Sequence, residues 1–121
     1  MAISRSPVVS NLGAFVVIDT DVDENAQVNT TGSAGTLRLL AIDNTANSGV
    51  VYVKFYDTAG SITVATASPD YIFRADGSKL HTLVFPEGLT FAVGFTHVCV
   101  TTAAPGANPP GSAVKIRYVT T

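Results

Sequence analysis

With 121 residues, 13% charged and 46% hydrophobic, the chain can bury one core but carries little charge to cover it. Its exterior must be Thr, Ser, Ala, Gly and Asn, with part of it hidden against other chains. A net charge of −2 with no Lys/Arg cluster excludes nucleic acid as a partner, and a lone cysteine, Cys99, excludes an intrachain disulfide.

Residues 1–13, small and polar, read as an extended arm that orders by docking, ahead of a single domain over 14–121. The opening MAISRSPVVSNLGAF lacks the apolar core of a signal peptide, and no apolar run approaches the roughly 20 residues of a membrane helix. The expectation is therefore folding in the cytoplasm, without a membrane partner.

Ala14 to Asp19 is a short strand, with Phe15, Val17 and Asp19 on one side and Val16 and Ile18 on the other. A weak strand follows near Ala26 to Thr31, and Thr31 to Gly35 is a flexible connection. The organising stretch is Thr36 to Tyr56. Its first run sets Leu37, Leu39 and Ala41 against Arg38, Leu40 and Ile42, which predicts a strand covered on both sides. Its second run sets Val51, Val53 and Phe55 against Tyr52, Lys54 and Tyr56. Asp43 to Gly49, rich in Asn, Asp, Ser and Gly, reads as the hairpin loop between them.

Ser61 to Ala65 continues as a strand until Pro69 breaks it, and Tyr71-Ile72-Phe73 packs as an edge. Lys79 to Phe85 alternates Leu80, Thr82 and Val84 against His81, Leu83 and Phe85, and Pro86-Glu87-Gly88 turns. In Leu89 to Thr101, the residues Leu89, Phe91, Val93, Phe95, His97 and Cys99 share one parity, and Gly94 marks a bulge, bend or corner. A Pro/Gly loop over Thr102 to Ser112 leads into a closing strand that sets Val114, Ile116 and Tyr118 against Lys115, Arg117 and Val119. About seven to nine short strands with frequent turns predict an all-β protein, an antiparallel β-sandwich or jelly roll.

No catalytic, cofactor-binding or metal-ligating set emerges. Asp19, Asp21 and Asp23 have the D-x-D-x-D spacing of a calcium loop, but Glu24 and Thr30 stand where that loop needs Gly and Glu. A looser calcium site is the alternative to a solvated acidic edge, which is the preferred reading. His97 and Cys99 share a strand face, but nothing completes a zinc set with them or His81. Cys99, between Val98 and Val100, reads as a small buried residue. Tyr52, Tyr56 and Tyr71 are the candidates for a sugar-stacking platform, in a chain with no Trp.

The order of LLAIDN (Leu39 to Asn44), VVYVKFYD (Val50 to Asp57), TASPD (Thr66 to Asp70) and VFPEGLTF (Val84 to Phe91), then the strand Val98 to Thr102, the Pro/Gly loop and Val114 to Val119, is a familiar one. It resembles small β-rich structural proteins of tailed bacteriophages, including the capsid cement or decoration proteins of cyanophages. The likeness covers about Thr36 to Thr121. It implies a virion protein, not an enzyme, made in the host cytoplasm. Such a protein binds the outer capsid surface as a dimer or trimer and staples capsomers of the major capsid protein. The contact residues expected on that reading are Ile3, Arg5, Pro7 and Val8 of the arm and Pro105, Pro109 and Pro110 of the loop. The alternative is a carbohydrate- or receptor-binding sandwich of a phage tail or fibre, carried by the three tyrosines.

Overall fold

Alternating side chains in short strands bury one face of each strand, and two such faces closing on each other make the core of this chain. The computed structural model describes residues 3–7 and 15–121. Among them lie eight strands and no helix: β1 (Ile3–Pro7), β2 (Phe15–Val22), β3 (Gly35–Asp43), β4 (Val51–Asp57), β5 (Tyr71–Ala75), β6 (Leu80–Phe91), β7 (Phe95–Val100) and β8 (Val114–Thr120). They form two antiparallel sheets, one ordered β1-β2-β8-β3-β6 and the other β5-β4-β7. Gln27 adds a bridge to His97 on the free side of β7. With the Gln27 segment counted at the edge of the smaller sheet between β2 and β3, the chain from β2 onward crosses between sheets at every step except β4 to β5, the connectivity of a jelly-roll sandwich.

That connectivity corrects the reading of Thr36 to Tyr56. β3 and β4 are not a hairpin, because β3 pairs with β6 and β8, and β4 pairs with β5 and β7. Residues 44–50 carry the chain from one sheet to the other, pinned by the buried Asn44. Its amide donates to the carbonyls of Gly49, Ala75 and Asp76 and accepts from Asn47.

Inside β3 the register slips at Arg38, so Leu37 faces the core together with Leu40 and Ile42 rather than with Leu39 and Ala41. Opposite it, Pro86-Glu87-Gly88 is not a turn between strands but a bulge within β6. Gly88 adopts a φ of 75° there, and Arg38 Nη1 donates to the Pro86 carbonyl at 3.0 Å. The segment around Ser61 forms turns rather than a strand, and the weak strand near Ala26 is reduced to the Gln27 bridge. Part of the expected arm is β1, which pairs with β2 from Ile3 opposite Asp19 to Pro7 opposite Phe15. Val8 lies outside the described residues.

The core is aromatic at its centre. Phe55 meets the rings of Tyr118, Phe73 and Phe91 edge-on at 5.1, 5.8 and 5.8 Å. The far face of the β5-β4-β7 sheet is covered as well, with Lys54, Tyr56, Thr96, Val98 and Val100 all buried. Loops cross that face, bonding Thr96 Oγ1 to the Thr58 carbonyl and Lys54 Nζ to the Ala104 carbonyl.

Candidate functional site

Three strands and one loop bring polar side chains together between the sheets. Asp19 on β2, His97 on β7 and Tyr118 on β8 each occupy an inward position of their strand, and each is 0% exposed. His97 Nε2 lies 2.8 Å from Asp19 Oδ2, and Nδ1 lies 3.1 Å from the Tyr118 hydroxyl. That hydroxyl meets Thr30 Oγ1, which also reaches the Phe95 carbonyl at 3.2 Å. Asp19 Oδ1 accepts the Asp21 N–H at 3.1 Å.

A carboxylate only accepts, so Nε2 of His97 carries a proton toward Asp19. With Nδ1 bare, a single directed series runs from Thr30 through Tyr118 and His97 to Asp19. With Nδ1 protonated, Tyr118 donates to Thr30, Thr30 donates to the Phe95 carbonyl, and every atom is again satisfied. Burial pushes the Tyr118 phenol above its ordinary range, the Asp19 charge adds to this, and the Thr30 bond opposes it. Asp19, His97 and Tyr118 have no exposed surface, while Thr30 is half-buried. They join β2, β7, β8 and the segment before β3 across the sandwich.

The other acidic candidates diverge. Asp19 turns into the core, while Asp23 Oδ1 caps the Asn25 N–H at 2.9 Å. Among the described residues no three of His, Cys, Asp and Glu are placed to hold a metal ion. Cys99 is buried, and burial followed by the Asp23 charge pushes its thiol up to about 12. His81 stands apart near the start of β6, where its Nε2 accepts the N–H of Asp76 in the β5–β6 turn. The tyrosines form no platform. Tyr56 is buried beneath loops, and Tyr71 packs on Phe91 with its hydroxyl on the Thr90 carbonyl. On the inward side of β5, Tyr71 sits across its sheet from Tyr52.

The outer face of the five-stranded sheet is different, because no described segment covers it. Cross-strand register aligns Val16, Val119, Leu39 and Val84 in one apolar row over β2, β8, β3 and β6, with Ser6 of β1 at its end. Ile18 and Leu80 extend it, and Leu80 and Val84 are 70% and 63% exposed. Lys115 and Arg117 rise from the middle strand and border a groove of about 270 Å³ floored by Ile18, Ala41 and Leu80. Alternation groups Val16 with Ile18, Leu80 with Val84, and Lys115 with Arg117 and Val119, but it sets Leu39 and Ala41 with the core residue Leu37. What alternation could not tell is that this face is bare while the outer face of the other sheet is covered.

The expected contact residues are scattered by comparison. Ile3 and Arg5 are exposed on β1, Arg5 lies over the Phe15 ring, and Pro7 ends that strand. Pro105 and Pro109 are exposed and Pro110 half-buried in the loop of residues 101–113.

No family model, no curated protein and no solved structure matches this chain.

Proposed function

We propose that the chain is a structural protein of a tailed-phage virion, a cement or decoration protein that docks on the outer surface of the head and bridges capsomers of the major capsid protein. The observation that carries this is the apolar row Val16–Val119–Leu39–Val84, covered by no described segment, half-buried in its first three members and exposed at Val84, which crosses four strands of one sheet. A sheet face about 20 Å wide, from strand spacing alone, suits contact with another protein surface better than enclosure of a small ligand. Burying a fully exposed Val or Leu is worth about 1.5–3 kcal/mol, and three of these four are already half-buried, so the row gives a modest gross gain before the cost of association. Repetition at every capsomer boundary turns that modest gain into resistance of the whole shell to rupture, by preferential binding to the intact state. Ile3 and Arg5 on β1 stand opposite the inward Asp19 and Val17, and the proline loop lies by the covered face of the smaller sheet, so these expected contacts fall outside the proposed docking face.

The test is co-sedimentation of the purified chain with expanded, undecorated heads of a phage that encodes it. Wild type is expected to co-sediment to saturation, and Ile18→Lys/Val119→Lys to lose binding while keeping its far-ultraviolet circular dichroism. Full occupancy by that variant overturns the assignment of the face, and absence of wild-type binding overturns the function.

A further inference from the structure

We propose that the chain pairs with a second copy of itself along the free edge of β6, antiparallel and centred on Thr82. β6 ends the larger sheet, bonded to β3 on one side and to no described strand on the other. Open edges are normally guarded by charge, proline, bulges, shortness or a covering segment. Every other edge here is guarded. β1 has five residues with Arg5 and Pro7. β5 has five residues and the Arg74–Asp76 ion pair at its end. β7 is bonded by the Gln27 segment. The second half of β6 is interrupted at Pro86-Glu87-Gly88. Leu80 to Phe85 alone is uncharged, unbulged and open.

This stretch is also complementary to itself. Its two outward apolar side chains, Leu80 and Val84, are the most exposed large hydrophobics among the described residues, at 70% and 63%. They lie two residues either side of Thr82. An antiparallel two-fold centred there sets Leu80 beside Val84 of the second copy, twice over, at the separation of directly opposed strand residues. The same register sets Lys79 of each copy opposite Phe85 of the other, two residues short of Glu87, so opposite charges lie near each other at both ends.

Stacking two copies by their outer faces is the competing arrangement. It would press Lys115 and Arg117, at the centre of that face, against the same cations of the second copy. Edge pairing avoids this. Its two-fold runs perpendicular to the sheet, so both apolar rows point the same way and join into one surface twice as wide. The dimer itself does not rest on the decoration role, because it is a property of the isolated chain.

The test uses the full chain alone, with no shell present. Sedimentation velocity is expected to show a species of twice the 12.5 kDa chain mass at tens of micromolar. Leu80→Lys/Val84→Lys changes only highly exposed positions, so it should keep the circular dichroism spectrum while raising the dimer dissociation constant at least tenfold. Opposed strand residues have Cα atoms about 4.5–5.5 Å apart, within disulfide range. Thr82→Cys should therefore cross-link to dimer on mild oxidation, and Arg117→Cys should not. A wild type that stays monomeric to millimolar concentration overturns the proposal. So does a dimer that is indifferent to the lysine pair, or one that cross-links through residue 117 rather than 82.

Discussion

His97 and Asp19 are 78 residues apart in the chain, yet His97 Nε2 and Asp19 Oδ2 lie 2.8 Å apart with both side chains fully enclosed. Removing one member of such a pair strands the other in a low-dielectric core. Asp19→Ala or His97→Ala is expected to cost about 3–5 kcal/mol, read by denaturant unfolding. The double replacement Asp19→Leu/His97→Phe should cost clearly less than the sum of the single losses, since neither member of the pair is left facing a missing partner, although the Tyr118 hydroxyl and the Asp21 N–H each lose one bond. Tyr118→Phe should cost about 1–3 kcal/mol by unsatisfying its neighbours.

Asp57 closes the β6–β7 turn. Its carboxylate accepts the N–H groups of Ala92, Val93 and Gly94 at 2.8, 2.8 and 3.2 Å. Burial pushes this carboxyl up, but the three N–H bonds together outweigh it and hold it below the ordinary 3.8. The unfolded chain therefore binds the proton more readily. Asp57 contributes its stability above the ordinary carboxylate value, and that contribution is lost as pH falls through 3.8 toward the folded value. Asp57→Asn should cost about 1–3 kcal/mol at neutral pH. The gap from wild type should shrink on acidification, as thermal melts across pH will show.

Two glycines in neighbouring turns should behave oppositely. A Cβ on Gly77 would sit 2.0 Å from the backbone oxygen of Ser48, while one on Gly49 meets nothing within 4 Å. Gly77→Ala must push two inter-sheet connections apart and should cost about 1–3 kcal/mol, as overpacking does. Gly49→Ala should be neutral or slightly stabilising by restricting the unfolded chain. Chemical denaturation of the pair decides it.

On the covered face of the smaller sheet, Lys54 is fully buried with its ammonium on the Ala104 carbonyl, and the buried Tyr56 hydroxyl has no partner among the described residues. Burial pushes the Lys54 ammonium down from the ordinary 10.5. The unfolded chain keeps that proton longer, so this residue makes stability rise with pH in the window just below 10.5. Lys54→Met should abolish that rise while taking a donor from the Ala104 carbonyl, and Tyr56→Phe should leave stability unchanged or higher, since it removes a hydroxyl without a partner among the described residues. Unfolding curves from neutral to alkaline pH test both.

Strand alternation alone assigned the inward sets Val51/Val53/Phe55 and Val114/Ile116/Tyr118, and both sets are buried. It also grouped Asp19 with Val17 and His97 with Phe95, yet the acidic run around Asp19 reads as a solvated edge, and nothing in the sequence places Thr30 beside Tyr118. Their meeting is a long-range event that no local pattern encodes. Other features escaped for the same kind of reason. An Asn-rich loop looks alike whether it closes a hairpin or spans two sheets, and only the pairing of β3 with β6 and β8 separates the cases. Pro86-Gly88 has turn chemistry, yet partner strands on either side of it keep the chain in one sheet and make it a bulge. The bare outer face was invisible because its exposure depends on where every other loop goes.

The central claim is that this sandwich works by laying its bare sheet face on a viral shell. Electron cryomicroscopy of expanded heads saturated with the purified chain tests it most directly. The account predicts density on the outer head surface at capsomer boundaries, with the β2-β8-β3-β6 face toward the capsid and two copies joined at β6. Heads that remain undecorated at saturating protein, or copies that bind with this face turned to solvent, would contradict it.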